Sequence, residues 1–170
     1  KISGQIQKIS ECKMKILISA CVFGKNVRWN GTNRHSDEII KWAQENNFDL
    51  VPICPEHELF GTPRKSIRLR QKGDEVLAIM GKEEIYSKLQ DKCEELSTRY
   101  DDVVGFVGIS NSPSCGLSVG VKDRGSTMKA PMHQSLDCPT TEISSMKSKQ
   151  NQDGFLRRVR KYEARRSGTE

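Results

Sequence analysis

Three cysteines of this chain stand where a strand gives way to a turn. Cys21 closes "ILISAC", Cys54 opens "CPE" after "DLVPI", and Cys115 sits in "NSPSCG" after "VVGFVGI". They lie 33 and then 61 positions apart, and no C-x-x-C pair occurs anywhere. That removes the zinc-ribbon, thioredoxin and ferredoxin patterns, so any cluster of thiols has to be assembled by the fold. The neighbours add proton chemistry. Glu56 lies two positions beyond Cys54, and Ser112 and Ser114 precede Cys115, with Pro113 fixing one backbone angle and Gly116 permitting close backbone approach. Convergent thiols beside a carboxylate and hydroxyls make a site that can bind a metal and move protons.

The competing reading of each residue is structural. Free cysteine behaves as a small hydrophobe and is among the most buried residue types. Cys93 falls on a stripe with Ile85, Leu89 and Leu96 and reads as core. Cys12 precedes Met14, which reads as a natural start, and is given no role. Cys138, in "LDCPTTE", is a loop thiol or a fourth ligand, its position favouring the first. For Glu56 the alternative is a solvated loop acid paired with Arg64.

The elements that must position these residues alternate. Residues 14–20 form an isoleucine-rich buried strand, followed by the polar turn "RWNGTNRH". A helix begins at Ser36 as N-cap, with Asp37 and Glu38 in its first turn and Ile39, Ile40 and Ala43 on one face. Residues 49–53 are a second strand, 54–73 a long irregular loop, and 75–80 a third strand. A helix over 82–100 and a strand over 103–109 follow. Such alternation implies the α/β class, a Rossmann-like three-layer sandwich whose mostly parallel central sheet is flanked by helices. Ligands of parallel sheets bind beyond the carboxyl ends of the strands, which is where Cys21, Cys54 and Cys115 are delivered together.

At 170 residues the chain is long enough for one domain with a real core. Its longest apolar stretch, residues 16–24, is too short to span a bilayer, and no membrane partner is expected. The segment "MKILISAC" imitates a lipoprotein cleavage site, but only five residues separate Lys15 from Cys21, fewer than a signal peptide needs. A cytoplasmic location is expected, where six cysteines read as metal-binding, catalytic or buried rather than disulfide-bonded. The last 24 residues carry eight Lys/Arg against three acids, a net +5 of the chain's +6. Phe155, Leu156, Val159 and Tyr162 recur there at helical spacing, so the segment reads as a basic amphipathic helix docked by its apolar side.

The motifs "ISACVFGKNVRWNGTNR", "VPICPE", "TPR", "KGDEV" and "NSPSCG", in this order, resemble the bacterial thiouracil desulfidase family, long classed as a domain of unknown function. The resemblance covers residues 14–125 and fades beyond. It implies a 4Fe-4S cluster held by Cys21, Cys54 and Cys115 alone, with one iron open to the sulfur of a thiolated nucleobase. It also implies that Glu56 and Ser112 are the catalytic carboxylate and serine, and that thiouracil is converted to uracil and sulfide by non-redox C–S hydrolysis. The chain then divides into an N-terminal extension (1–13), an iron–sulfur desulfidase α/β domain (14–146) and a basic C-terminal helix or tail (147–170). Three rivals stand beside this reading. They are a desulfidase acting on thiolated uridine in tRNA or nucleosides, with tRNA as partner of the basic segment, a three-cysteine zinc hydrolase, and a nucleic-acid-binding protein with incidental thiols. The oligomeric state is not readable from the sequence.

Overall fold

The computed structural model describes residues 12–169. Of the expected extension over 1–13, all but the last two residues lie outside the described residues. In chain order the elements are β1 (Met14–Ser19), α1 (Ala20–Phe23), α2 (Asp37–Glu45), β2 (Phe48–Ile53), α3 (Pro55–Phe60), β3 (Ile67–Lys72), β4 (Glu75–Met80), β5 (Glu83–Glu84), α4 (Tyr86–Arg99), β6 (Gly105–Gly108), β7 (Val119–Lys122), β8 (Thr127–Met128), α5 (Pro131–Ser135), β9 (Thr140–Glu142) and α6 (Lys149–Ser167), with a 3-10 turn at Ser145–Lys147.

The central sheet has the order β2-β1-β6-β9, and every pairing in it is parallel. β1 is one of its two inner strands, and its side chains alternate between two buried faces. Ile16 and Ile18 pack with Ile39 and Trp42 of α2 and with Phe155 and Val159 of α6. Leu17 faces the other way, into a cluster with Phe106, with Cys93 and Leu96 of α4, and with Met132 of α5. The result is the expected helix–sheet–helix sandwich.

The basic C-terminal segment is α6, and its apolar side completes the first of these clusters. Trp42 stacks on Phe48 at 5.4 Å and meets Phe155 at 5.7 Å between ring centroids. Gly105 explains how closely α6 approaches, since a Cβ there would lie 3.1 Å from both Phe155 Cζ and Val159 Cγ2.

Residues 75–80 are a strand, but β4 does not join the central sheet. A second sheet, β5-β4-β3-β7-β8, is antiparallel except for the parallel β3–β7 pair. The segment 54–73, expected to be irregular, contributes α3 and β3. Register pairs Lys72 with Glu75, so Gly73-Asp74 is a two-residue hairpin turn, and Gly73 takes the positive φ of 59° that such a turn requires. One face of this sheet buries Leu69, Ala78 and Val121 with Ile85 and Leu89, so the apolar stripe of α4 serves both sheets in succession. Among the described residues, no helix is long and apolar enough to cross a membrane.

Candidate active site

Each strand-end cysteine owes its position to the turn that follows the strand. β1 runs directly into the single turn α1, which carries Cys21 and ends at Gly24 in a left-handed conformation. Cys54 is the N-cap of α3, its sulfur accepting the His57 backbone N–H at 3.4 Å, with Pro55 at the first helical position, where a missing N–H costs nothing. Cys115 lies in the connection from β6 to β7, which is fastened at many points. The Cys115 N–H donates to Ser112 Oγ at 3.1 Å, and the Gly116 N–H donates to the Ser112 carbonyl at 2.9 Å. Met132 N–H donates to the Ser114 carbonyl at 3.0 Å, and Leu117 N–H donates to the buried carboxylate of Glu142 at 3.1 Å. His133 Nε2 stands 2.9 Å from the Cys115 carbonyl. Gly108 makes room for this packing, because a Cβ on it would sit 1.9 Å from that same carbonyl oxygen.

The three thiols line one cavity of about 350 Å³ at the carboxyl ends of β1, β2 and β6, and Glu56 and Ser112 line it with them. This is the edge to which the strand order delivers them. Cys21 and Cys115 are buried and Cys54 is partly buried. Burial pushes the Cys21 thiol up to about 11, with the neighbouring Cys54 adding to the rise and Arg28 opposing it. Cys54 is raised by burial, opposed by the His57 N–H, and Cys115 is raised well above an ordinary thiol by burial, with Cys54 and Cys93 adding. Three thiols this reluctant to ionise by themselves become good ligands once a cation supplies the missing charge.

Glu56 is buried, not solvated, and its expected partner is present. Its Oε2 accepts Arg64 Nη2 at 3.0 Å, with the two side chains only 10% and 5% exposed. Its Oε1 accepts the Ser114 hydroxyl at 2.9 Å. Ser114 Oγ is also 3.6 Å from Cys115 Sγ and 3.3 Å from Ser112 Oγ. Ser112 therefore reaches Glu56 through Ser114, the nearer hydroxyl. Arg64, read in the sequence as a possible mate for Glu56 and as the end of the "TPR" motif, also braces the cavity wall, Nη1 donating to the carbonyls of Val27 (2.9 Å) and Gly61 (3.0 Å).

Cys93 is fully buried in the core behind the cavity. Cys138 is buried too but lines a separate cavity with Tyr100 and Tyr162, away from the three thiols. Among the described residues, no three His, Cys, Asp or Glu side chains stand close enough together to hold one metal ion. A single zinc needs its sulfurs gathered at about 2.3 Å from one point, whereas a multi-iron cluster spreads its ligands further apart. One buried polar atom of a cavity-lining residue, Arg64 Nε, makes no hydrogen bond within the protein. A buried polar group without a protein partner is ordinarily met by water or by a bound group.

A profile of a family described as 2-thiouracil desulfurase matches residues 16–151. No curated protein sequence matches the chain. Among solved structures the chain is similar to one described as the 4Fe-4S-dependent thiouracil desulfidase TudS (DUF523), with a TM-score of 0.59 and 20% identity over 78% of this chain and 93% of that one.

Proposed function

Because the chain belongs to the 2-thiouracil desulfurase family, we propose that it is a thiouracil desulfidase whose 4Fe-4S cluster is held by Cys21, Cys54 and Cys115, leaving one iron without a protein ligand. The observation that carries this reading is the meeting of those three thiols, from three strand ends, with the buried Glu56 carboxylate in one cavity. The three thiols share one cavity without converging on a single-ion point among the described residues, which favours a cluster over the three-cysteine zinc site.

Bound there, the cluster supplies a soft Lewis acid that favours a thiocarbonyl sulfur over a carbonyl or water oxygen. The protein's own groups manage protons. Glu56 takes the proton of the water that attacks the ring carbon, or returns one to a ring nitrogen. Arg64 holds one carboxylate oxygen in place, and the Ser114 hydroxyl holds the other. Ser112, in contact with Ser114, extends this hydrogen-bonded chain and fixes the Cys115 N–H. Sulfur leaves as sulfide and oxygen enters from water, so no net electron transfer is required.

The test is iron and acid-labile sulfide analysis of anaerobically purified protein, together with sulfide release from 2- and 4-thiouracil. Cys21→Ala, Cys54→Ala and Cys115→Ala should each lose iron, whereas Cys93→Ala and Cys138→Ala keep it. Glu56→Ala and Ser112→Ala should keep the chromophore and lose turnover. Full iron in Cys54→Ala, or stoichiometric zinc in the wild type, would reject the assignment.

A further inference from the structure

Trp29 is exposed to 47%, and among the described residues it is the one large hydrophobic side chain in that state. A lone exposed apolar residue ordinarily needs no explanation. Trp29 differs in its place and its fixing. It lines the cavity that holds the three thiols and Glu56, and it is the sole aromatic residue in that lining. The other tryptophan, Trp42, is buried against Phe48 and Phe155, whereas among the described residues no ring stacks on Trp29.

The loop bearing Trp29 is also held. Arg28 N–H donates to the Thr32 carbonyl at 3.1 Å, Gly31 N–H to the Arg28 carbonyl at 2.8 Å, and the Thr32 hydroxyl to Asn30 Oδ1 at 2.6 Å. Arg64 clamps it from below, its N–H donating to the Trp29 carbonyl at 2.9 Å and its guanidinium to the Val27 carbonyl at 2.9 Å. The same guanidinium holds Glu56. One arginine thus ties the backbone that carries Trp29 and the Glu56 carboxylate into a common frame. A planar ring entering this cavity has aliphatic side chains, polar groups and one π-face to meet.

We infer that Trp29 is the surface on which the ring of the substrate stacks, making it the residue that selects for a flat heteroaromatic thiocarbonyl; this rests on the desulfidase reading above. Stacking tolerates different bases because each has a π-face, so Trp29 governs affinity for the ring and not the choice between sulfur at its 2- and 4-positions. Loss of a base-stacking aromatic weakens binding roughly 5- to 150-fold.

The experiment is steady-state desulfidation of 2- and 4-thiouracil by iron-loaded wild type, Trp29→Ala and Trp29→Phe, with iron content and uracil product inhibition measured on each. The expected result is a KM and a uracil inhibition constant raised at least about fivefold in Trp29→Ala, for both substrates alike, with kcat and iron content kept and Trp29→Phe close to wild type. Unchanged KM in Trp29→Ala overturns the inference, as does a fall in iron content or an equal defect in Trp29→Phe, which would make the residue a structural part of the loop. Wild type that releases no sulfide from either compound while holding its iron would overturn the desulfidase reading, and this inference with it.

Discussion

Arg64→Met is the sharpest test of how the site is held together. Methionine keeps most of the apolar stem while removing the guanidinium, which pairs with Glu56 and donates to the Val27 and Gly61 carbonyls. Both members of the pair are almost wholly buried. Removing one partner of a buried ion pair leaves the other charge uncompensated and costs about 3–5 kcal/mol. In a chain of this size each kcal/mol lowers Tm by about 2–4 °C, so Arg64→Met should melt roughly 6–20 °C below wild type. Adding Glu56→Gln removes the stranded charge, and the double variant should recover about 1–3 kcal/mol relative to additivity. Thermal or urea unfolding of the four proteins of this cycle, at low salt and at about 1 M salt, makes the measurement. Because screening acts on exposed charges, the cost should persist at high salt. A loss below about 1 kcal/mol, or one that vanishes with salt, is the behaviour of a surface pair and would refute the argument.

Other expectations follow from packing and from titration. Gly108→Ala places a methyl group against the Cys115 carbonyl, so it should lower stability by about 1–3 kcal/mol or more and reduce iron content, read by denaturation and iron analysis. Truncation after Met146 removes Phe155 and Val159 from the core, each worth about 1.5–3 kcal/mol, against a total stability of about 5–15 kcal/mol. The truncated chain should therefore lose cooperative thermal unfolding, and a sharp transition near the wild-type Tm would contradict the packing. Burial pushes the Cys138 thiol from an ordinary value near 9 up to about 11, with Asp137 adding. The unfolded chain then ionises first as pH rises, so stability present below about pH 9 is lost between about 9 and about 11, by about 2–3 kcal/mol for this group. Cys138→Val should flatten that part of the stability–pH curve, and an unchanged slope would disprove the contribution.

The central sheet could be read from the chain because its strands are short apolar runs with polar ends. β1 and β2 fall within one residue of expectation, and α2 starts after Ser36 as its acidic first turn suggests, although the Ser36 side chain makes no capping bond. β3 was hidden by its composition, "IRLRQK", in which two buried apolar residues alternate with cations that mask the strand. The Gly73-Asp74 pair was the available signal that residues 75–80 close a hairpin instead of adding to a parallel sheet. β9 has only three residues and pairs solely because β6 offers an edge. Of the site, the three thiols, Glu56 and Ser112 were readable from motif and strand position. The Ser114–Glu56 hydrogen bond was not, because it joins residues 58 apart whose meeting depends on how the two strand ends are set side by side. Trp29 stood in a segment read as a polar turn, where an aromatic residue between an arginine and an asparagine carries no periodicity to single it out.

The chain passes from the central sheet to the second sheet twice, once through α3 and once through the connection from β6 to β7. Cys54 lies at the first crossing and Cys115 at the second, while Cys21 stays with the central sheet. The chain also returns twice, through α4 and through α5, so four segments join the two sheets, and the stripe of α4 packs against both. Arg64, beyond the first crossing, is fastened to the Val27 and Trp29 carbonyls of the loop that follows β1. Cys54 and Cys115 thus sit at seams, and the distance between them is set by how the two sheets are joined and not by either sheet alone.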